Sequence, residues 1–207
     1  MPLHSEEMTT MRTVLLPSLA FASVIAAAGL LPAADVSAQK AVERFTGFAI
    51  NMNSGPSTAT VDFTIERWST NAERDKLLAI LQEEKDVYRA NQKLLSTLQR
   101  MPKVGYIRTP ERLAWDLRFA RQMPLEDGGR RIVLATDRPI GFREARNQPR
   151  TMDYPFTIVE VQLDKNDRGS GKILAGTKIY IDKKSNELVL ENYAQQPIRF
   201  NEVKPLK

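Results

Sequence analysis

The stretch from residue 137 to residue 155 holds the side chains of this chain that are best suited to binding an anion. A guanidinium group presents a planar fork of N–H donors that fits a carboxylate or a phosphate, so converging arginines make an anion site. The residues of the predicted site are Arg138, Arg143, Arg146, Arg150, Asp153 and Tyr154. These 19 residues show no helix or strand periodicity, and loops of this length inside a domain are often functional. The alternative is a structural loop whose arginines and acids satisfy one another.

The mature chain offers few residue types for catalysis. It has no cysteine, and the only histidine, His4, lies in a segment that we expect to be removed. This composition excludes zinc sites built on Cys or His, Ser-His-Asp and Cys-His catalysis, haem held by histidine, and iron–sulfur clusters. We therefore predict no metal site and no cofactor.

Paired carboxylates are the main catalytic chemistry that remains, because a glycosidase needs two of them flanking a cleft. The candidates are Asp116, Asp137, Asp153, Glu160 and Glu191. Their spacing selects no particular pair. A carboxylate-dependent hydrolase acting on envelope or extracellular polysaccharide is thus the alternative function.

The run from Asp164 to Gly169, which holds two aspartates and an asparagine, invites comparison with a calcium-binding loop. The comparison fails, since Arg168 takes the third ligand position and Ala175 stands where a bidentate Glu is required. The run is better explained as a Gly-containing hairpin turn.

The N-terminal segment has the features of an export signal. Arg12 precedes an apolar run over residues 13–34, and Val36-Ser37-Ala38 supplies a small-residue cleavage site. We predict a cleaved signal peptide over residues 1–38, a single domain over residues 39–207, and a periplasmic or extracellular location. No integral membrane segment then remains, although a retained N-terminal anchor is the alternative.

Positive charge is concentrated in one window of the mature chain. Without residues 1–38 the chain has 29 basic and 22 acidic residues, a balance of +7. Residues 100–150 hold eleven Arg and one Lys against six acids, and so account for +6 of it. Such an excess favours an acidic partner, whereas the alternative is a solvated surface on which Arg stems cover apolar side chains. We do not expect nucleic acid, because no nucleic-acid motif is present.

The first part of the predicted domain contains two strands and then two helices. Residues 45–52 and 58–68 form the strands, the second with strict alternation of apolar and polar side chains. Thr70 and Glu73 form a capping box that begins the first helix. A second helical segment ends at Met101 before Pro102, and its apolar stripe includes Asn91.

The remainder of the chain is predicted to be strands. A strand over residues 113–120 turns at Asp127-Gly128-Gly129, and a two-residue turn there puts Ile132 and Leu134 on the same face as Trp115 and Phe119. The other predicted strands cover residues 104–108, 130–136, 156–163, 172–182, 188–193 and 198–203. The fold class is therefore α+β, a curved and mostly antiparallel sheet with a two-helix insertion after the second strand. The sheet could also close into a barrel.

Four segments of the chain carry a resemblance to a known group of proteins. They are Trp68 to Arg74, Val104 to Pro110, Gly128 to Phe142 and Glu144 to Phe156. The chain resembles an uncharacterised family of small exported bacterial proteins over nearly all of its mature region. The resemblance implies an exported single domain and brings no activity, ligand or catalytic residue with it.

These observations favour an exported, non-enzymatic binding or interaction module. Its predicted partner is a small anionic or amphiphilic ligand, or an envelope component, held at the Arg-rich loop 137–155. A structural envelope protein that works by self-association or by strand pairing is a further alternative. The sequence leaves the oligomeric state open.

Overall fold

The computed structural model describes residues 42–51, 57–109, 114–138, 156–175, 177–182, 187–192 and 197–206. The predicted signal peptide over residues 1–38 lies outside this part of the chain and stays a prediction. Within the described residues, no helix has both the length and the apolar character needed to cross a membrane.

Eleven strands and two helices make up the described residues. The strands are β1 Glu43–Asn51, β2 Ser57–Ile65, β3 Gly105–Arg108, β4 Trp115–Leu117, β5 Phe119–Pro124, β6 Arg130–Thr136, β7 Thr157–Leu163, β8 Gly169–Ala175, β9 Thr177–Asp182, β10 Glu187–Asn192 and β11 Ile198–Pro205. The helices are α1 Asn71–Glu83 and α2 Val87–Arg100, which lie between β2 and β3. The predicted α+β fold class, with its two-helix insertion, is confirmed.

Nine strands form one antiparallel sheet in the order β4-β3-β2-β1-β11-β8-β7-β6-β5, which curls into a nearly closed barrel. Its two edge strands, β4 and β5, are consecutive in the chain and are separated only by Arg118. The Arg118 N–H donates to the Ala135 carbonyl on β6 (2.9 Å), and the Val104 N–H donates to the Leu117 carbonyl on β4 (2.9 Å). Ser69 then ties itself to both backbone groups of Ala120 on β5. One run of chain thus brings the two edges of the sheet together.

The barrel interior is filled with side chains. The Phe45 and Phe63 rings stack with their centroids 4.9 Å apart, and Phe200 packs beside Phe63 at 6.2 Å. Gly47 lets Phe200 lie against the backbone of β1, because a Cβ at Gly47 would come within 2.8 Å of the Phe200 ring. Opposite Gly47 strand β11 carries a bulge at Glu202, which has a φ of 53°.

The helices cover the outer face of strands β5 to β8. The predicted capping box is confirmed, since the Glu73 N–H donates to Thr70 Oγ1 (3.2 Å) and the Thr70 N–H donates to Glu73 Oε2 (2.8 Å). A second apolar cluster lies beneath the helices and consists of Leu81, Ala90, Leu94, Leu98, Met101, Ala135, Phe156, Ile158, Leu174 and Ile179.

Asn91 joins helix α2 to the β9–β10 hairpin. Its side chain is completely buried, and its Oδ1 accepts from the Ile179 N–H (3.0 Å). Its Nδ2 donates to the carbonyls of Ile179 (2.8 Å) and Val87 (2.7 Å). The amide thus completes the hydrogen bonding of a buried strand edge, where a missing partner would be costly.

The prediction that Phe119 faces the same side as Ile132 and Leu134 is wrong. The β5–β6 turn has three residues rather than two: Leu125 and Gly129 close it, and Gly128 has a φ of 81°. This one-residue change in register sets Ala120 opposite Leu134 and turns Phe119 towards the helices.

Two predicted strands are divided in the structure. Residues 113–120 were expected as one strand, but the chain breaks at Arg118 and crosses from one sheet edge to the other. Because of that break, Trp115 packs against the interior cluster as predicted, although Phe119 does not. Residues 172–182 divide between β8 in the barrel and β9 in the separate β9–β10 hairpin.

Candidate functional site

The stem of the Arg-rich loop is anchored at one end of the barrel. Strand β6 ends at Thr136 and strand β7 begins at Thr157, and these two residues are paired in the ladder. The carbonyl of Arg138 accepts from the hydroxyls of both Thr136 (3.0 Å) and Thr157 (3.1 Å). The Arg138 N–H also donates to Thr136 Oγ1 (2.9 Å). The loop therefore leaves the barrel from a fixed point beside its point of return.

Of the predicted site residues, the structure describes Arg138, which is exposed just past the end of β6. The remaining predicted site residues, Arg143, Arg146, Arg150, Asp153 and Tyr154, lie outside the described residues. Their convergence on a ligand stays a prediction.

The first acid of the loop is bound to the barrel wall. Asp137 Oδ2 lies 3.6 Å from Nε of Arg118, and the Asp137 side chain is 9% exposed. Arg118 also approaches Asp116 Oδ2 at 3.4 Å and donates to the Met101 carbonyl at 3.3 Å. Arg118 thus connects the barrel seam, helix α2 and the start of the loop. The sequence argument had not singled it out.

Three further strand arginines of the basic window have side-chain partners. Arg121 donates to Asn71 Oδ1 (2.9 Å), Arg108 lies 3.4 Å from Asp62, and Arg131 lies 3.5 Å from Glu160. These strand arginines are therefore engaged by neighbouring polar or acidic side chains.

Arg130 closes the opposite end of the barrel from the loop stem. Its guanidinium donates to Glu43 (2.7 Å), Gln122 (2.7 Å) and Asp167 (2.9 Å) and lies over the Phe45 ring. Burial opposes its ionisation, but the hydrogen bonds with Glu43 and Asp167 outweigh burial and raise the pKa of Arg130. Its inward orientation could have been inferred from sequence, since Arg130 alternates along β6 with Ile132 and Leu134, but its partners Glu43 and Asp167 could not.

A cleft of about 440 Å³ lies beside Arg130, between the β5–β6 and β7–β8 turns. The β7–β8 turn is the hairpin turn that the sequence predicts for residues 164–169. Asp164 Oδ1 accepts from the N–H groups of Asn166 (2.7 Å) and Arg168 (3.0 Å), and these backbone bonds, Arg168 first, lower the pKa of Asp164. The Asp164 carboxylate thus stabilises the turn to which it belongs.

A second cleft, of about 320 Å³, lies between the α1–α2 junction and strand β9. Its floor includes Leu81, Ala90 and Ile181. Its rim includes Glu84, whose carboxylate is bound by Lys93 at 2.6 Å, a hydrogen bond that lowers the pKa of Glu84. The cleft is large enough for a small ligand.

The described carboxylates named as catalytic candidates all lie beside cations. Glu160 is within 3.2 Å of Lys172 and 3.5 Å of Arg131, whereas Asp116 and Asp137 share Arg118 on another part of the wall. The remaining two candidates are Asp153, outside the described residues, and Glu191, whose side chain is also undescribed. In the part of the chain that the structure covers, no three metal-ligating side chains are grouped.

Comparison with family models, with curated proteins and with solved structures finds no match to this chain. The resemblance to exported bacterial proteins therefore stays a prediction.

Proposed function

We propose that this protein is an exported binding module that holds a small anionic ligand at the loop 137–155. The ligand would be held by guanidinium groups of Arg138, Arg143, Arg146 and Arg150, with Asp153 and Tyr154 beside them. This arrangement uses binding chemistry only and needs no cofactor.

The observation that carries the proposal is the division of arginines between wall and loop. Three strand arginines of the basic window, Arg118, Arg121 and Arg130, are engaged with neighbouring carboxylates, amides or carbonyls. Among the described residues, the guanidinium of Arg138 contacts no carboxylate. Asp137, one of the three acids of the loop, is already paired with Arg118, which leaves four arginines against Glu144 and Asp153.

The anchored stem supports the same proposal. Hydrogen bonds from hydroxyls on both flanking strands to the Arg138 carbonyl fix the point at which the loop begins. A loop with fixed ends loses less conformational freedom on binding, so more of the interaction energy appears as affinity.

Isothermal titration with inorganic phosphate and with citrate tests the proposal. We expect the double variant Arg143→Gln/Arg146→Gln to bind at least about tenfold more weakly, because each charge-assisted hydrogen bond contributes about 1.5–3 kcal/mol. The control variant Lys76→Gln/Arg89→Gln removes the same charge from exposed helix positions and should leave affinity unchanged. Equal weakening in both variants, or no binding of either anion by the unaltered protein, would contradict an anion site in the loop.

Export is tested separately by the N-terminus of the protein recovered from a bacterial host. We expect mass spectrometry to show a chain that begins at Gln39. A cytoplasmic chain that retains residues 1–38 would contradict it.

A further inference from the structure

Exposed apolar side chains concentrate on the pair of strands formed by β1 and β11. The large apolar side chains exposed in the described residues are Val42, Phe48, Tyr88, Met123 and Leu206. Val42 immediately precedes β1, Phe48 lies within it at 43% exposure, and Leu206 follows β11. The Leu206 N–H donates to the Arg44 carbonyl (2.9 Å), so Leu206 continues the ladder.

Exposed cations alternate with these apolar side chains. Alternation along β1 turns Arg44, Thr46, Phe48 and Ile50 outwards, opposite to the buried Phe45 and Ala49. The register sets Lys204 opposite Thr46 and Arg199 opposite Ile50. We name the exposed set Val42, Arg44, Phe48, Arg199, Lys204 and Leu206 the β1–β11 face.

The charge of this face differs from that of the neighbouring wall. On the outer face of strands β2 to β4, cations lie beside carboxylates. Arg108 is 3.4 Å from Asp62, and Lys103 is 3.6 Å from Asp116. Among the described residues of β1 and β11, the exposed carboxylate is Glu202 at the bulge, since Glu43 is held by Arg130. With three exposed cations and one exposed carboxylate, the β1–β11 face has a positive net charge.

We propose that the β1–β11 face docks onto an anionic lipid surface. Phe48, Val42 and Leu206 enter the boundary between headgroups and acyl chains, which accepts apolar and aromatic side chains. The three cations contact lipid phosphates, and their aliphatic stems lie along the interface. This surface uses no residue of the loop 137–155.

A lipid interface suits the face better than a soluble polyanion does. A polyanion would neutralise Arg44, Arg199 and Lys204 but would leave the apolar side chains between them in water. The outer surface of a barrel is convex, so these side chains project and can enter a soft interface without a complementary groove. A lipid interface therefore engages both the apolar and the basic side chains of the β1–β11 face.

Vesicle sedimentation tests the proposal on the protein recovered after export, with the same N-terminus in every variant. We expect binding to vesicles in which one third of the lipid is phosphatidylglycerol, and little binding to pure phosphatidylcholine. The triple variant Arg44→Gln/Arg199→Gln/Lys204→Gln should lower the partition coefficient roughly 100-fold, because each basic residue near an anionic surface contributes about fivefold. Phe48→Thr, which keeps a strand-forming residue, should lower it roughly fivefold.

Two matched controls separate docking from general electrostatics. Lys76→Gln/Arg89→Gln/Arg100→Gln removes the same charge from exposed helix positions, and Tyr88→Gln removes an exposed aromatic ring from α2. Both should bind vesicles within about threefold of the unaltered protein, since distant charges are screened. Thermal unfolding checks that each variant is folded.

Three results would overturn the proposal: no binding to the anionic vesicles, an equal loss in the helix controls, or full binding by Phe48→Thr. Retained binding of Phe48→Thr together with binding to dextran sulfate would show a soluble polyanion site instead. The variant Arg143→Gln/Arg146→Gln should keep vesicle binding, so this proposal and the anion site in the loop can fail independently.

Discussion

The barrel interior and the cluster beneath the helices both contain fully buried side chains, but they are assembled in different ways. Phe63 and Leu134 in the interior are fully buried, and so is Phe156 beneath the helices. The interior needs only strands with alternating side chains. The outer cluster needs helices to cover strands that are apolar on both faces, as in β7, where both Ile158 and Val159 are buried. One wall of the same barrel is therefore a layer between two cores, while the β1–β11 face remains open.

The largest predicted effect is truncation of the interior stack. Phe63→Ala removes a fully buried ring that stacks on Phe45, and it should lower the free energy of unfolding by about 4 kcal/mol. Leu98→Ala beneath the helices should cost about 3 kcal/mol. Urea unfolding by circular dichroism measures both. A smaller cost for Phe63→Ala than for Leu98→Ala would reverse the ranking of the two cores.

Removing the Asn91 amide tests how the outer cluster is joined to the β9–β10 hairpin. Asn91→Ala leaves the N–H and carbonyl of Ile179 without these partners in a buried place, at a cost of about 2–3 kcal/mol. Hydrogen exchange of the Ile179 amide should accelerate more than exchange of interior amides such as Leu134. Gln99→Ala, at an exposed site on the same helix, is the control, and it should change neither the stability nor the exchange of the Ile179 amide appreciably. Unchanged Ile179 exchange in Asn91→Ala would show that the hairpin is held by apolar packing alone.

Two glycine substitutions compare tight packing in the barrel with a left-handed turn. Gly47→Ala forces a Cβ against the Phe200 ring and the Asn201 carbonyl, and should cost about 1–3 kcal/mol. Gly128→Ala meets no atom within 4 Å but must hold a φ of 81°, at a cost of about 1 kcal/mol. Thermal unfolding measures both, and a neutral Gly47→Ala would mean that Phe200 is free to move away.

The smallest predicted effect is the change in stability with pH that comes from Glu73 in the capping box of α1. The hydrogen bond with Arg67 first, and then the bonds with Thr70, lower the pKa of Glu73 despite partial burial. A lowered pKa means that Glu73 contributes stability above its unfolded pKa near 4.5, and that this contribution is lost as the pH falls further. Glu73→Gln should therefore flatten the loss of stability below about pH 4.5. Chemical denaturation at a series of pH values measures this, and parallel curves for the two proteins would contradict it.

Local signals predicted the elements well. The capping box at Thr70, the alternation in β2 and the position of Asn91 in an apolar stripe each lead to the observed structure. The register of β5 on β6 could not be predicted, since Asp127-Gly128-Gly129 suits both a two-residue and a three-residue turn. The break at Arg118 has no local signal, because it results from the crossing between sheet edges.

The candidate site was less predictable than the fold. Sequence marks the bounds of the Arg-rich loop correctly, since β6 ends at Thr136 and β7 begins at Thr157. It did not identify the attachment of Asp137 to Arg118, because these partners are brought together by the barrel seam. The number of arginines alone does not show which of them are engaged by the barrel wall.

The pairing of β1 with β11 determines when during synthesis or transport the barrel can be completed. These are the first and last strands of the barrel, and their ladder runs from Phe45 opposite Pro205 to Ile50 opposite Arg199. A chain in which residues 198–205 are not yet available cannot form this ladder, because β1 then lacks its partner strand. If the protein is exported as we propose, the β1–β11 ladder therefore forms only after residues 198–205 have crossed the membrane.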